Sequence, residues 1–279
     1  MSPPLERLHS HAQQWSVTLQ HHWETQTSVL ASGLRRETRV VLKVTKQPGD
    51  EWHSGEVLRA FEGDGAVKLY ESTPGAVLLE RLDPGNDLVA LVHAGNDDAA
   101  TKILADVSAR LANHAPPANC PTVFDWSLGF DRYLRNGSAS AIPTDLVTQA
   151  AKLFKSLASS QTNPMLLHGD LQHYNVLFDS TRGWVAIDPK GVVGELEYEV
   201  GALMRNPIEL PDLFTSPDII KRRLNILIEA LKLNYQRMLE WTFAQSVLSA
   251  IWDIEDGNAV GIDHPALKLA HSLNRLMNT

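Results

Sequence analysis

Leu167-His168-Gly169-Asp170-Leu171-Gln172-His173-Tyr174-Asn175-Val176-Leu177-Phe178, followed by Val185-Ala186-Ile187-Asp188-Pro189, decides how this chain is read. Asp170 is followed five residues later by Asn175, and a second aspartate, Asp188, ends a short apolar run. Val176–Phe178 and Trp184–Ile187 flank the turn-forming stretch Asp179-Ser180-Thr181-Arg182-Gly183. This pattern predicts a β-hairpin with Asn175 just before it and Asp188 just after it. Phosphoryl transfer needs such a set. One carboxylate receives the acceptor hydroxyl's proton, while an amide oxygen and a second carboxylate hold magnesium against the nucleotide phosphates.

Upstream of the hairpin, the first eighty residues read as strands with one helix. Ser16–Gln20 alternates, and Ser28–Ala31 and Arg39–Val44 are apolar runs parted by Ser32-Gly33. Asp50 is placed to cap a helix over about Glu51–Phe61, and Val67–Glu71 and Val77–Leu82 read as two more strands. Beyond residue 82 the period turns helical, as in Ile103, Leu104, Val107 and Leu111, and in Leu224, Leu227, Ile228 and Leu231 after Ser216-Pro217-Asp218. The stretch from Pro116-Pro117 to Asn136-Gly137 reads as loop. The expected division is a strand-rich lobe over residues 1–82 and a helical lobe over 83–279 that carries the hairpin and an acceptor pocket.

The strand lobe offers a lysine inside an apolar strand, Val40-Val41-Leu42-Lys43-Val44. A buried ammonium needs an anion. The phosphates of ATP would serve, with Glu51 or Glu56 of the next helix fixing the side chain. Glu56, further into the helix, is the preferred partner.

Taken with Leu78-Leu-Glu-Arg-Leu82, His168-Gly-Asp-Leu, Asn175-Val-Leu and Ile187-Asp-Pro-Lys-Gly191, these residues resemble the aminoglycoside phosphotransferase superfamily. Glu-Arg-Leu-x-Pro-Gly at 80–85 and Asp-Pro-Lys-Gly at 188–191 resemble the branch of streptomycin 6-phosphotransferases and hydroxyurea phosphotransferases. The resemblance implies an α+β, two-lobed, protein-kinase-like fold with an antiparallel sheet in the first lobe and mainly helices in the second. It implies an ATP- and Mg2+-dependent kinase with Asp170 as the base, Asn175 and Asp188 on the metal and Lys43 on the phosphates. It also places the Glu80-Arg81-Leu82 backbone on the adenine edge and gives His168 a supporting role. The expected phosphate loop, Trp23–Ser28, contains no glycine, which leaves the phosphate contacts unassigned.

The acceptor pocket is expected in the helical lobe, where two acidic groups stand: Glu195, Glu197 and Glu199, and Asp253, Glu255 and Asp256. Asp253, Glu255, Asp256 and Glu199 are taken as substrate contacts, because carboxylates pair well with guanidinium or ammonium sugars. The net charge of −8 argues against nucleic acid, and no run of 18 apolar residues would span a membrane. One cysteine, Cys120, excludes an intrachain disulfide. A cytoplasmic monomer with a small cationic substrate is expected. A Gly-x-x-x-x-Gly-Lys-Ser/Thr loop and a Gly-x-Ser-x-Gly elbow are both missing, which sets aside P-loop and acyl-transfer chemistry. Two competing functions remain: a kinase for hydroxyurea or another small metabolite, and a non-catalytic nucleotide-binding module. The second has no need of Lys43, Asp170, Asn175 and Asp188 together.

Overall fold

A computed structural model describes residues 2–135 and 141–278. Helix α1 (Pro4–Gln14) leads into strands β1 (Val17–Glu24), β2 (Ser28–Arg35) and β3 (Thr38–Thr45). A 3₁₀ turn (Asp50–His53) and helix α2 (Ser54–Ala60) precede β4 (Leu69–Thr73) and β5 (Ala76–Glu80). These strands form one antiparallel sheet in the order β1-β2-β3-β5-β4. The division at residue 82 falls between β5 and the next strand, β6 (Pro84–Asp87), which belongs to another sheet.

The rest is mostly helical: α3 (Val89–His93), α4 (Asp97–Leu111), α5 (Val123–Arg135) and α6 (Thr144–Ser159). Short strand β7 (Met165–Leu167) follows, then the hairpin β8 (Val176–Asp179) and β9 (Gly183–Ala186), then β10 (Val192–Gly194). Helices α7 (Leu196–Met204), α8 (Pro211–Phe214), α9 (Pro217–Leu231), α10 (Tyr235–Glu255) and α11 (Pro265–Met277) complete the chain. No helix among the described residues is long and apolar enough to cross a membrane.

The period of two along the strands determines what each sheet face covers. Val40, Leu42 and Val44 of β3 and Ala76 and Leu78 of β5 pack under α1, against Leu8, Ala12 and Trp15. Val77 and Leu79 point the other way and join α2 in the main core, which continues into the helical half. Lys43, between Leu42 and Val44, therefore faces the cleft rather than α1.

Backbone bonds stitch the halves along one edge. Val67 N donates to Ala186 O, and Ala186 N to Gly65 O, each at 2.8 Å. Arg182, in the β8–β9 turn, reaches across to the carbonyls of Gly63 and Ala66 and to the Glu80 carboxylate. Deeper in the helical half, fully buried Arg223 of α9 bonds Asp97 of α4 at 2.5 and 3.1 Å.

Three expectations are corrected here. Helix α1 was not foreseen, because its buried apolar residues are few, Leu8 and Ala12 among polar and histidine neighbours. The stretch read as loop carries α5, whose buried residues Val123, Ser127, Phe130 and Tyr133 hold a helical period. Asn136-Gly137 of that stretch lies outside the described residues. Asp50 does not cap α2 but opens the 3₁₀ turn, and its side chain caps nothing.

Candidate active site

The hairpin predicted from sequence forms, with Val176 opposite Ala186 and Asp179 opposite Gly183. It is anchored on the loop before it, where Asn175 O accepts from Ile187 N at 2.9 Å. The Asn175 amide nitrogen donates to Asp170 O at 2.9 Å and to the Asp170 carboxylate at 3.2 Å. Its amide oxygen is thus turned away from Asp170. Asp188 adopts a left-handed backbone, φ 56°, at the end of this segment. Its Oδ1 lies 2.9 Å from Lys43 Nζ.

Lys43 is buried and also meets Glu51 Oε2 at 2.7 Å. Burial pulls the Lys43 pKa down, but Asp188 and Glu51 outweigh it and hold the ammonium above its usual value. Glu51 thus replaces Glu56 as the partner of Lys43, a correction with a local cause. The 3₁₀ turn aims Glu51 inward, whereas Glu56 sits on an outward face of α2, 3.0 Å from His53 Nδ1.

His168 is fully buried, with Nε2 2.8 Å from Ile187 O and Nδ1 3.2 Å from Asp170 N. Burial lowers its pKa, so it stays neutral and links the catalytic loop to the segment leading into Asp188. Gly169 has φ +82°, and a Cβ there would stand 2.8 Å from Trp126, so both conformation and space require glycine.

Glu199 is not a substrate contact. It reaches from α7 beneath the catalytic loop, with Oε2 accepting from His168 N at 2.6 Å and Oε1 from Gly169 N at 3.0 Å and Leu171 N at 3.4 Å. Burial pushes its pKa up to about 7 against the pull of those amides. Its neighbours are engaged as well. Glu195 bonds Arg237 and the Trp241 indole, and Glu197 accepts from Asn234 N at 3.2 Å.

At the hinge, Glu80 N donates to Lys68 O at 3.0 Å and Arg81 N to Arg39 O at 3.2 Å. Leu82 is the one of the three whose N–H enters no hydrogen bond among the described residues. The Glu80 carboxylate is held by Lys68 N, at 2.8 Å, and by Arg182. The exposed Arg81 side chain lies outside the buried hinge wall formed by Leu82.

The second acidic group divides. Glu255 is forked by Arg132 at 2.9 and 3.0 Å, and Asp253 lies 3.2 Å from His264. Both thus have partners within the helical half. Asp256 lines the cleft. The cavity there holds about 510 Å³ and is bounded by Gln26, Thr27, Lys46, Asp50, Glu51 and Lys190. Gln26 and Thr27 are the tip of the β1–β2 turn, the expected phosphate loop. A neighbouring cavity of about 320 Å³ lies between Asp50, Glu56, Trp126, Lys190 and Gly191. Asp50, Trp126 and Lys190 were missed as cleft residues. Only Lys190, inside the quoted Asp-Pro-Lys-Gly segment, carried a signal that could have marked it.

Asn175 offers an amide oxygen, and Asp188, which follows the Ile187 bonded to Asn175 O, offers a carboxylate. Among the described residues, no group of three or more His, Cys, Asp or Glu gathers as an all-protein metal cage. Two hard oxygen donors suit magnesium, which keeps waters and takes its remaining ligands from phosphates.

Comparisons with known proteins agree on the family. The model of the aminoglycoside/hydroxyurea antibiotic resistance kinase family matches residues 14–257. A streptomycin 3''-kinase of Klebsiella pneumoniae is 34% identical over 223 residues, covering 78% of this chain and 80% of that one. A streptomycin 6-kinase of Streptomyces glaucescens is 31% identical over 245 residues, covering 85% and 77%. An aminoglycoside phosphotransferase solved in ternary complex with AMP-PNP and hygromycin B superposes with a TM-score of 0.66 at 14% identity, over 97% of both chains. That likeness assigns the fold, α+β and protein-kinase-like.

Proposed function

The chain belongs to the aminoglycoside/hydroxyurea antibiotic resistance kinase family and is a small-molecule phosphotransferase, and from this we propose that it moves the γ-phosphoryl group of ATP to a hydroxyl of streptomycin or a close cationic aminoglycoside. The observation that carries the donor half is one cluster: Lys43 held between Glu51 and Asp188, with Asn175 bonded to Asp170 beside it. Lys43 binds the α- and β-phosphates, and the Leu82 N–H meets the adenine. Asp170 orients the acceptor hydroxyl and takes its proton as the oxygen attacks the γ-phosphorus. The bond from that phosphorus to the β-phosphate oxygen breaks, and ADP leaves with the electron pair. Asn175 and Asp188 would hold magnesium, which would neutralise phosphate charge.

Streptomycin is favoured as acceptor because two relatives bear its name and the cleft wall includes the carboxylates of Asp50 and Asp256. Planar guanidinium pairs well with such groups. The relatives' names point to different hydroxyls, 3'' and 6. The test is ADP release from the purified chain with streptomycin, other aminoglycosides and hydroxyurea, followed by phosphorus NMR of the product. Saturable release with streptomycin is expected, and the NMR assigns the hydroxyl. Release with hydroxyurea alone would overturn the acceptor, and no release with any nucleoside triphosphate would overturn the donor.

A further inference from the structure

Lys190 stands two residues beyond Asp188 and has no role in the account above. Its backbone is fixed to the catalytic loop, since the N–H groups of Lys190 and Gly191 both bond His168 O at 3.0 Å. Gly191, at φ +78°, lies so close to Val57 of α2 that a Cβ would strike it. The Lys190 side chain leaves this rigid base and borders both cavities of the cleft. Its Nζ lies 5.9 Å from the centre of the Trp252 ring, which packs edge-on against Trp126 at 5.7 Å.

The other lysines of the cleft differ in one respect. Lys43 is compensated by Glu51 and Asp188, and Lys46 by Glu24 at 3.0 Å. Lys190 forms no ion pair among the described residues, and its partner is an aromatic face. Such a face holds a cation more loosely than a carboxylate does and gives it up to an anion. The cleft thus keeps one uncompensated ammonium, on a short tether from the metal-binding aspartate, at the junction of the cavity under the β1–β2 turn and the cavity along Trp126.

We propose that Lys190 contacts the phosphoryl group in flight, moving from the Trp252 face onto a non-bridging γ-phosphate oxygen while the acceptor attacks. The assignment rests on the ATP-dependent reading given above. It makes Lys190 a catalytic residue by charge alone: it neither takes nor gives the proton, which passes to Asp170. A cation brought against developing charge within a partly enclosed cleft acts more strongly than in bulk solvent.

The test uses the full chain with Lys190→Met and Lys190→Arg. Turnover with the acceptor, KM for acceptor and ATP, acceptor-free ATP hydrolysis and thermal midpoint are measured for each. Lys190→Met should lower kcat by about 10²–10³-fold, the range for removing one preorganised charge-stabilising group. Both KM values should change little, and hydrolysis should fall in parallel, because water attacks the same phosphorus. Lys190→Arg should recover part of kcat. Unchanged kcat and hydrolysis with a shifted acceptor KM would overturn the proposal and assign Lys190 to the acceptor. If Lys190→Met melts early, Lys190→Arg decides: hydrolysis and transfer reduced together at a wild-type midpoint support the contact, and wild-type values for both overturn it. A wild-type chain that turns over no nucleotide would sink the donor reading and this assignment together. Normal wild-type turnover with an unaffected Lys190→Met would sink this assignment alone.

Discussion

The two ends of the cleft were assembled by different rules. At the end proposed for the nucleotide, Asp170, Asn175 and Asp188 come from one loop and the hairpin that follows it, and Lys43 is presented by strand parity. Their relative positions follow from local geometry, which a sequence records directly. At the acceptor end, the walls come from the Lys46–Asp50 loop, α5, Lys190 and the end of α10, segments far apart in the chain. Acidic residues there were counted as free charges. Folding had already spent most of them: Glu195 on Arg237 and Trp241, Glu199 on loop amides, Asp253 on His264 and Glu255 on Arg132. A carboxylate near an apolar helix end is evidence of a partner, and the partner is more often internal than a ligand.

The contrast breaks first at Asp170 if it is wrong. Asp170→Ala should cut turnover by about 10²–10⁴-fold, the usual cost of losing a general base, while leaving nucleotide affinity near wild type. Turnover close to wild type in that variant would remove the assigned chemistry from this end.

Glu199 sharpens the contrast through pH. Its folded pKa of about 7 lies above the ordinary 4.5, so the folded state holds its proton more tightly than the unfolded state does. The contribution is fully present below the unfolded value and is lost as pH rises through the folded one. Wild-type stability should therefore decline between about pH 5 and 8, by on the order of 3 kcal/mol from this group. Glu199→Gln should remove that part of the slope. Parallel urea-unfolding curves for the two proteins across this range would show that Glu199 does not titrate as stated.

Glu51 and Glu56 form a matched pair of variants. Glu51→Gln removes one charge of the buried ion pair with Lys43 and should lower kcat/KM for nucleotide by roughly tenfold to a hundredfold, as loss of about 1.5–3 kcal/mol would. Glu56→Gln should leave it unchanged, since that exposed carboxylate pairs with His53 rather than with Lys43. The reverse pattern would restore the original reading of the helix.

The smallest effect belongs to the acceptor end. Asp256→Asn should raise KM for a cationic acceptor severalfold at most, given about 0.2–1 kcal/mol for an exposed pair. KM for ATP should hold, and the effect should shrink with added salt. Asp253→Asn should do neither. If Asp253→Asn instead raises acceptor KM while Asp256→Asn does not, the cleft wall has been drawn on the wrong side of α10.

What the sequence made legible follows the same division. The hairpin, β3 and the late helices were readable because each carries its own period over several residues. Glu51 was ranked behind Glu56 because one regular helix was drawn from residue 51 to 61, whereas Asp50–His53 is a 3₁₀ turn with a different angular step per residue. Helix α5 was hidden by the prolines before it and the Asn-Gly after it. Lys190 was quoted within its motif yet left without a role, because an uncompensated charge is visible only once the neighbours of every other lysine are known.

The stitched edge between the halves also dictates how the cleft can move. Residues 65–67 are joined to Ala186 by backbone hydrogen bonds, and Arg182 braces Gly63, Ala66 and Glu80. Sliding or twisting one half over the other would break all of these at once. Rocking about that edge would keep these bonds and would act on the opposite side, where the Lys46–Asp50 loop, Asp256 and Lys190 line one cavity and Val57 packs on Gly191. A rocking of that kind would couple the aperture proposed for the acceptor to the seating of the β1–β2 turn over the proposed nucleotide site.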